Sequence, residues 1–424
     1  MSVKFRLVVM NFLQFFVWGS WLITIGAYWF QTKQWSGTEF GAIFSTMGIA
    51  SLFMPSLMGI VADKWINAER LYGILHLCGA VMLFIVPTIN DPHTLFWVML
   101  LNMCFYMPTI SLSITVAYNA LSKQGEDIVR SYPPIRVWGT VGFIAAMWMV
   151  SLLHLEVSAL QFQVAGAAAV LLGLYAFSLP ACPPRDTRHD SLIDALGLRS
   201  FALLKNYKMA VFFLFAMFLG ASLQLTNAYG DTFLHDFAKL DEYKDALAIR
   251  FPAITMSISQ ISETLLILAI PFFLKRYGIK AVMLMSMFAW VLRFGLFAYG
   301  NPGALLWMII LSNIIYGMAF DFFNISGSLF VESQADAKIR ASAQGLFMLM
   351  TNGIGAILGS SISGIVIDRF FTGANGALDW HGIWLSFAVY SLVIAVLFAL
   401  LFKHEHKPEA LTRVGALDSH AHGG

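Results

Sequence analysis

Runs of about 20 apolar residues, each long enough to cross the hydrocarbon core of a bilayer as a helix, recur along the whole chain. They fall at roughly 5–30, 40–62, 71–89, 94–118, 135–153, 160–181, 208–230, 252–275, 281–299, 304–331, 341–368 and 381–402. Lipid offers no partner to an unpaired backbone group, so each crossing must satisfy its own N–H and C=O groups by being helical. Composition agrees, with 58% hydrophobic and 12% charged residues where a soluble domain has about 25% charged. The expected fold is therefore an all-α polytopic membrane protein with 12 transmembrane helices.

The basic residues set its direction. With the N-terminus inside, 20 of the 26 Lys and Arg residues fall in inner segments, including Lys4, Arg6, Lys64, Arg70, Lys123, Arg130, Lys275 and Arg276. Only Lys33, Lys239, Lys244, Arg250 and Arg369 fall outside, and Arg293 lies within a span. Both termini are thus expected in the cytoplasm. The first run lacks the cleavage pattern of a signal peptide and is expected to stay as a span. The inner segment 182–207 carries Leu192, Ile193, Leu196, Phe201 and Leu204 at nearly helical spacing, which suits an amphipathic helix at the membrane surface. It would link an N-terminal six-helix bundle (1–181) to a C-terminal one (208–402), leaving a cytoplasmic tail at 403–424. Cys78, Cys104 and Cys182 show neither metal-ligand spacing nor an obvious pairing. The net charge of +2 gives no reason to expect a nucleic-acid partner.

The halves echo each other. "GIVADKWINAER" (59–70) and "FFLKRYGIK" (272–280) follow corresponding spans, as do "EDIVRSYPPIR" (126–136) and "ESQADAKIR" (332–340), at offsets of about 210 residues, the pattern of an internally repeated carrier. Twelve spans, this repeat and the charged loop with Gly59, Asp63, Lys64 and Arg70 resemble the major facilitator superfamily. The loop departs from the superfamily's usual motif in having Lys64 and lacking a second glycine. More closely, "FLQFFVWGSWL", "MPSLMGIVADKW", "PPIRVWGTVGF", "LQLTNAYGDTFLHDF", "SQISET" and "YGMAFDFFNISGS" resemble the bacterial nucleoside:proton symporters of the xanthosine permease type. The resemblance covers nearly all the chain except the last twenty or so residues. It implies two six-helix bundles in the major facilitator fold, a substrate site near the midplane, and spans five, seven, eight and ten around it.

Charged groups inside spans are the sharpest functional signal, because each costs about 2.5–3.5 kcal/mol at a helix centre. Only Glu263 and Asp321 lie well inside among the acids, with Arg293 and Arg136 among the bases. In "SISQISETLLIL" (257–268) Gln260 and Glu263 share one helical face. Arg136, Thr140 and Phe143 form a stripe, as do Gln224 with Asn227, and Tyr316 with Phe320 and Asn324. Carboxamides offer paired donors and acceptors to base edges and sugar hydroxyls, and aromatic rings offer a stacking face to any base. The resemblance assigns substrate binding to the same set: Arg136, Thr140, Phe143, Gln224, Asn227, Gln260, Glu263, Tyr316 and Phe320. The bland readings are interhelical hydrogen bonding for the amides, plain packing for the rings and snorkelling for Arg136.

Glu263 and Asp321 are the two proton-coupling candidates. Asp321 and Arg293 lie about 15 and 18 Å from the inner ends of their spans, so a structural ion pair between them is the competing account. The expected function is proton-coupled nucleoside import across the bacterial inner membrane by alternating access, performed by a monomer in lipid. A carrier of sugars or another small polar solute is the alternative. Nothing calls for a metal or another cofactor. The chain holds no Ser/His/Asp or HExxH arrangement, so it is not expected to be an enzyme.

Overall fold

The computed structural model describes residues 2–184, 198–335 and 340–404. Thirteen helices carry the fold among them: α1 (Val3–Gly19), α2 (Gly37–Lys64), α3 (Ala68–Ile85), α4 (Pro92–Lys123), α5 (Ile128–Leu152), α6 (Leu160–Ala176), α7 (Tyr207–Asp236), α8 (Pro252–Leu266), α9 (Ile270–Tyr299), α10 (Leu306–Gln334), α11 (Arg340–Met348), α12 (Ala356–Val366) and α13 (Trp380–Leu401). Nine helical stretches among the described residues are long and apolar enough to cross a membrane. Residues 185–197 of the 182–207 segment expected to form an amphipathic linker helix lie outside the described residues. The next segment, Leu198–Lys205, is a short 3₁₀ stretch.

Several starts follow from local sequence. Ser36 and Glu39 close a reciprocal capping box ahead of α2, which satisfies donors that the first turn would otherwise leave open. Asp91 accepts from Thr94 N at 2.7 Å and starts α4. Spans eight and nine are separated at Gly278, whose φ of 79° belongs to glycine because other residues clash there. Span eleven is interrupted by wide π-type turns at Leu349–Gly355 and Ile367–Phe371 on either side of α12.

Two compact units result. The first comprises 1–196, 223–257 and 352–379; the second comprises 197–222, 258–351 and 380–424. In the first, α1, α3, α4 and α6 bury Leu7, Met10, Leu75, Leu112, Val116 and Leu172 in one core. In the same unit α2 lies directly on α12: a Cβ at Gly41 would stand 2.2 Å from the Ser360 carbonyl oxygen. In the second unit α9 and α10 form an antiparallel hairpin. Its register is fixed by Ser286 Oγ donating to the Ala319 carbonyl and by Ser312 Oγ donating to the Arg293 carbonyl at 2.9 Å.

Candidate functional site

In the second unit, α8 and α10 approach at Gly317. A Cβ there would meet the Ser262 carbonyl oxygen at 2.7 Å and Glu263 N at 2.8 Å, so only glycine lets the two backbones come so near. That contact sets Gln260 and Glu263 of α8 beside Tyr316, Phe320 and Asp321 of α10. Gln260 bonds the Tyr316 hydroxyl, and Glu263 lies near enough to Tyr316 and Asp321 for their charges to interact. The Tyr316 and Phe320 rings stack with centroids 5.9 Å apart and planes 11° apart. Trp290 of α9 meets Tyr316 edge-on at 6.0 Å. Phe320, Gln260 and Glu263 stay half-buried, while Asp321 is 5% exposed. Asp321 Oδ2 has no hydrogen-bond partner among the described residues.

The Arg293–Asp321 ion pair, the competing account suggested by their similar depths, is not present among the described residues. Arg293 Nη1 donates to the Ser312 carbonyl at 2.5 Å and lies 3.5 Å from Asn313 Oδ1; Nη2 lies 3.4 Å from Ser259 Oγ. Its guanidinium also sits 4.9 Å from the Tyr316 ring centre and 5.0 Å from that of Phe297. The hairpin register is the reason. It sets Arg293 level with Ser312 and Asp321 just beyond the level of Ser286, about two and a half helical turns away, or roughly 13 Å. Depth counted from the ends of apolar runs missed this because the two runs do not end level: by this register the inner end of the tenth run, 331, lies beyond Gly278, where span nine begins.

In the first unit, Arg136 of α5 lays its guanidinium 4.1 Å from the centre of the Phe15 ring. Thr140 follows one turn on and is half-buried. Phe143 meets Trp18 edge-on at 6.5 Å, and Trp18 meets Tyr106 at 5.4 Å. Behind these rings Gln14 acts as a hub. It donates to Thr109 Oγ1 at 2.9 Å, accepts from the Tyr72 hydroxyl at 2.6 Å, and bonds His76 Nε2 at 2.9 Å. Gln224 of α7 is buried with its Oε1 unpartnered among the described residues, and Asn227 is half-buried. Trp18 Nε1 is likewise without an acceptor there.

Sequence reasoning missed Trp18, Tyr106 and the Gln14–His76 contact. The signal available was the one used for the other stripes: Gln14, Phe15 and Trp18 fall at helical spacing on α1. Donors, acceptors and stacking faces of this kind suit a flat heteroaromatic ring carrying a hydroxylated sugar. The buried carboxylates add groups able to take up and release protons.

Known proteins bear on this geometry. The family described as Nucleoside H+ symporter matches residues 1–407. The xanthosine permease of Escherichia coli (strain K12) is 54% identical over 97% of this chain and 98% of its own length. The nucleoside permease NupG of the same organism is 50% identical over 96% and 97%. A crystal structure of the nucleoside transporter NupG matches with a TM-score of 0.90 at 50% identity, covering 96% of this chain and 100% of that one.

Proposed function

Because the chain belongs to the nucleoside H+ symporter family, we propose that it imports nucleosides together with protons across the bacterial inner membrane by alternating access. The observation that carries this reading is Asp321. A carboxylate 5% exposed, with an oxygen lacking any partner among the described residues, is expensive to hold in a membrane helix unless its protonation is used. Its neighbour Glu263 makes the pair able to share and pass on charge. We assign the proton to these two.

Substrate contacts follow from chemistry. Phe320 offers a stacking face to the base with the Tyr316 ring stacked behind it, and Gln260 and Glu263 offer hydrogen bonds to ribose hydroxyls. Arg136, Thr140, Phe143, Gln224 and Asn227 supply the remaining donors, acceptors and ring. Twelve crossings account for the helices: the nine long ones gain a tenth when the stretch Pro252–Tyr299 is divided at Gly278, and α1 and α6, each 17 residues, complete the set. Basic residues concentrate at one end of these crossings, which supports cytoplasmic termini. The six-plus-six division at 182–207 and action as a monomer remain part of the proposal.

The relatives at half identity are permeases, so the chain is a carrier and not an enzyme. The sugar reading gains nothing from them. The deciding experiment is uptake of labelled uridine into proteoliposomes with and without an imposed inward proton gradient, in competition with adenosine, xanthosine, ribose and uracil. Gradient-driven accumulation blocked by nucleosides supports the assignment. Blockage by ribose alone, with none by nucleosides, overturns it.

A further inference from the structure

We propose that Glu156, Asp231 and His235 form a second proton-binding site at the outer ends of the helices, holding one proton while those ends are packed together and releasing it when they part. This deepens the alternating-access reading and rests on it. The three residues lie outside the substrate set, and all belong to the first compact unit.

Burial comes first. Glu156, in the short connection between α5 and α6, is 3% exposed, and Asp231 is 0% exposed. His235 stands one turn beyond Asp231 on α7. Groups from the two halves of the sequence are thus enclosed together. Their hydrogen bonding is incomplete: Glu156 Oε1 and both Asp231 carboxylate oxygens lack a hydrogen-bond partner among the described residues. His235 Nδ1 lies 3.1 Å from Asp231 Oδ2, an ion-pair contact, and 3.1 Å from the Asp231 carbonyl oxygen; both contacts favour the protonated imidazole.

The surrounding elements add no opposing charge. Thr24 Oγ1 donates to Gln161 Oε1 at 2.7 Å, and Gln161 Nε2 donates to the Glu156 backbone carbonyl at 2.7 Å; both are neutral. The charges that reach Glu156 are those of Asp231 and His235. His154, two residues before it, is stacked on Phe251 at 5.6 Å. With every group ionised the cluster would bury one net negative charge, which desolvation disfavours. One proton on Glu156 leaves a neutral acid beside an Asp231–His235 pair.

Burial pushes the Glu156 carboxyl up to about 7; the Ser151 hydroxyl opposes it, the Asp231 charge adds to it, and the His235 charge acts against it. Once α7 moves off the 153–159 connection, water returns and the carboxyl relaxes toward its ordinary value of about 4.3. The bond that breaks is O–H, and the proton passes to external water. A value raised in the packed state stabilises packing at acid pH, and that stability is lost as pH rises through about 7. Between external pH 6 and 8 separation should therefore become about tenfold more favourable.

Ser257 reports on the same joint, because it is buried and accepts from Trp148 Nε1 at 2.8 Å. Ser257→Cys would be introduced with Cys78→Ala, Cys104→Ala and Cys182→Ala, then labelled with a membrane-impermeant thiol reagent at external pH 6 and 8. Comparison with a Glu156→Gln background cancels the reagent's own pH dependence. The expected result is a pH 8 to pH 6 labelling ratio about tenfold larger with Glu156 than with Gln, and restoration of the larger ratio by Glu156→Asp. Equal ratios in the Glu156 and Glu156→Gln backgrounds would overturn the proposal. Uridine counterflow at pH 6 confirms that each variant is folded. Loss of counterflow in the native chain itself would instead sink the transport reading, so the two failures are distinguishable.

Discussion

Arg293 and Asp321 are both buried charges on the α9–α10 hairpin, and their surroundings could hardly differ more. Arg293 is 0% exposed and is held by the Ser312 carbonyl, by Asn313 and Ser259 oxygens, and by the faces of Tyr316 and Phe297. Asp321, about two and a half turns away, leaves an oxygen unpartnered among the described residues and has another acid, Glu263, as its charged neighbour. A fully satisfied charge specifies how helices pack. An unsatisfied one carries a standing free-energy penalty, and that penalty makes it responsive to protonation. On the proposed reading, the difference separates a packing charge from the proton site, and it does so without reference to any relative.

The largest effect should come from breaking the working member. Asp321→Asn should reduce gradient-driven uridine accumulation to that of empty vesicles, and Glu263→Gln should impair it severely. Counterflow should survive in at least one of the two, because exchange needs no net proton movement. The Asp321→Asn protein should also unfold in detergent at or above the native temperature, since the substitution removes a buried anion without removing a partner. Uphill uptake persisting in both variants would end the proton assignment.

Breaking the scaffold member should look different. Arg293→Met removes the donor to the Ser312 carbonyl and leaves the Asn313–Ser259 pair only the bond that Ser259 Oγ donates to Asn313 Oδ1 at 2.8 Å, and a lost hydrogen bond to a charged group costs about 1.5–3 kcal/mol. Melting temperature and counterflow should therefore fall together, with Arg293→Lys intermediate. If Arg293→Met keeps native melting but loses uphill uptake alone, the comparison is inverted and Arg293 belongs with the transport chemistry.

Legibility followed the same divide. Apolar runs disclosed the helical crossings because lipid leaves so few alternatives. Stripes such as Gln260 with Glu263, and Tyr316 with Phe320, were readable because helical spacing alone decides which side chains share a face. Register between helices was not readable, so Arg293 was matched to Asp321 when its partners are Ser312 and Asn313. Tertiary enclosure was equally hidden: Asp231 sits at a span end in sequence, yet the fold closes over it completely. The Gln14 hub was missed for a third reason. Its stripe with Phe15 and Trp18 was legible, but the Tyr72, His76 and Thr109 partners that make it a hub come from two other helices.

A smaller effect should come from the stacking face. Phe320→Ala removes one ring of the Tyr316–Phe320 stack, and base–aromatic stacking is worth about 1–3 kcal/mol. The KM for uridine should rise between about fivefold and a hundredfold, with the proton dependence of uptake unchanged. Ribose, if it binds at all, should be indifferent to the change. A KM unaltered by Phe320→Ala would mark the ring as packing and move the base elsewhere.

The smallest effect concerns a second contrast, between two copies of one short motif. Gly59-Ile-Val-Ala-Asp63-Lys64 ends α2, and Gly364-Ile-Val-Ile-Asp368-Arg369 follows the same pattern at the end of α12. Asp368 accepts from Gly37 N at 2.8 Å, and from Thr38 N and Thr38 Oγ1 at 2.5 Å each, so it caps the start of α2 where the helix dipole favours an anion. Asp63 is half-exposed and makes no hydrogen bond among the described residues. Asp368→Asn keeps an acceptor but loses the charge, a change of about 0.3–1 kcal/mol at a helix N-terminus. It should lower the melting temperature slightly and raise labelling at Ser257→Cys less than about fivefold, whereas Asp63→Asn should change neither. Equal responses to the two substitutions would show that the motif acts through its charge alone, and that the contact with α2 adds nothing.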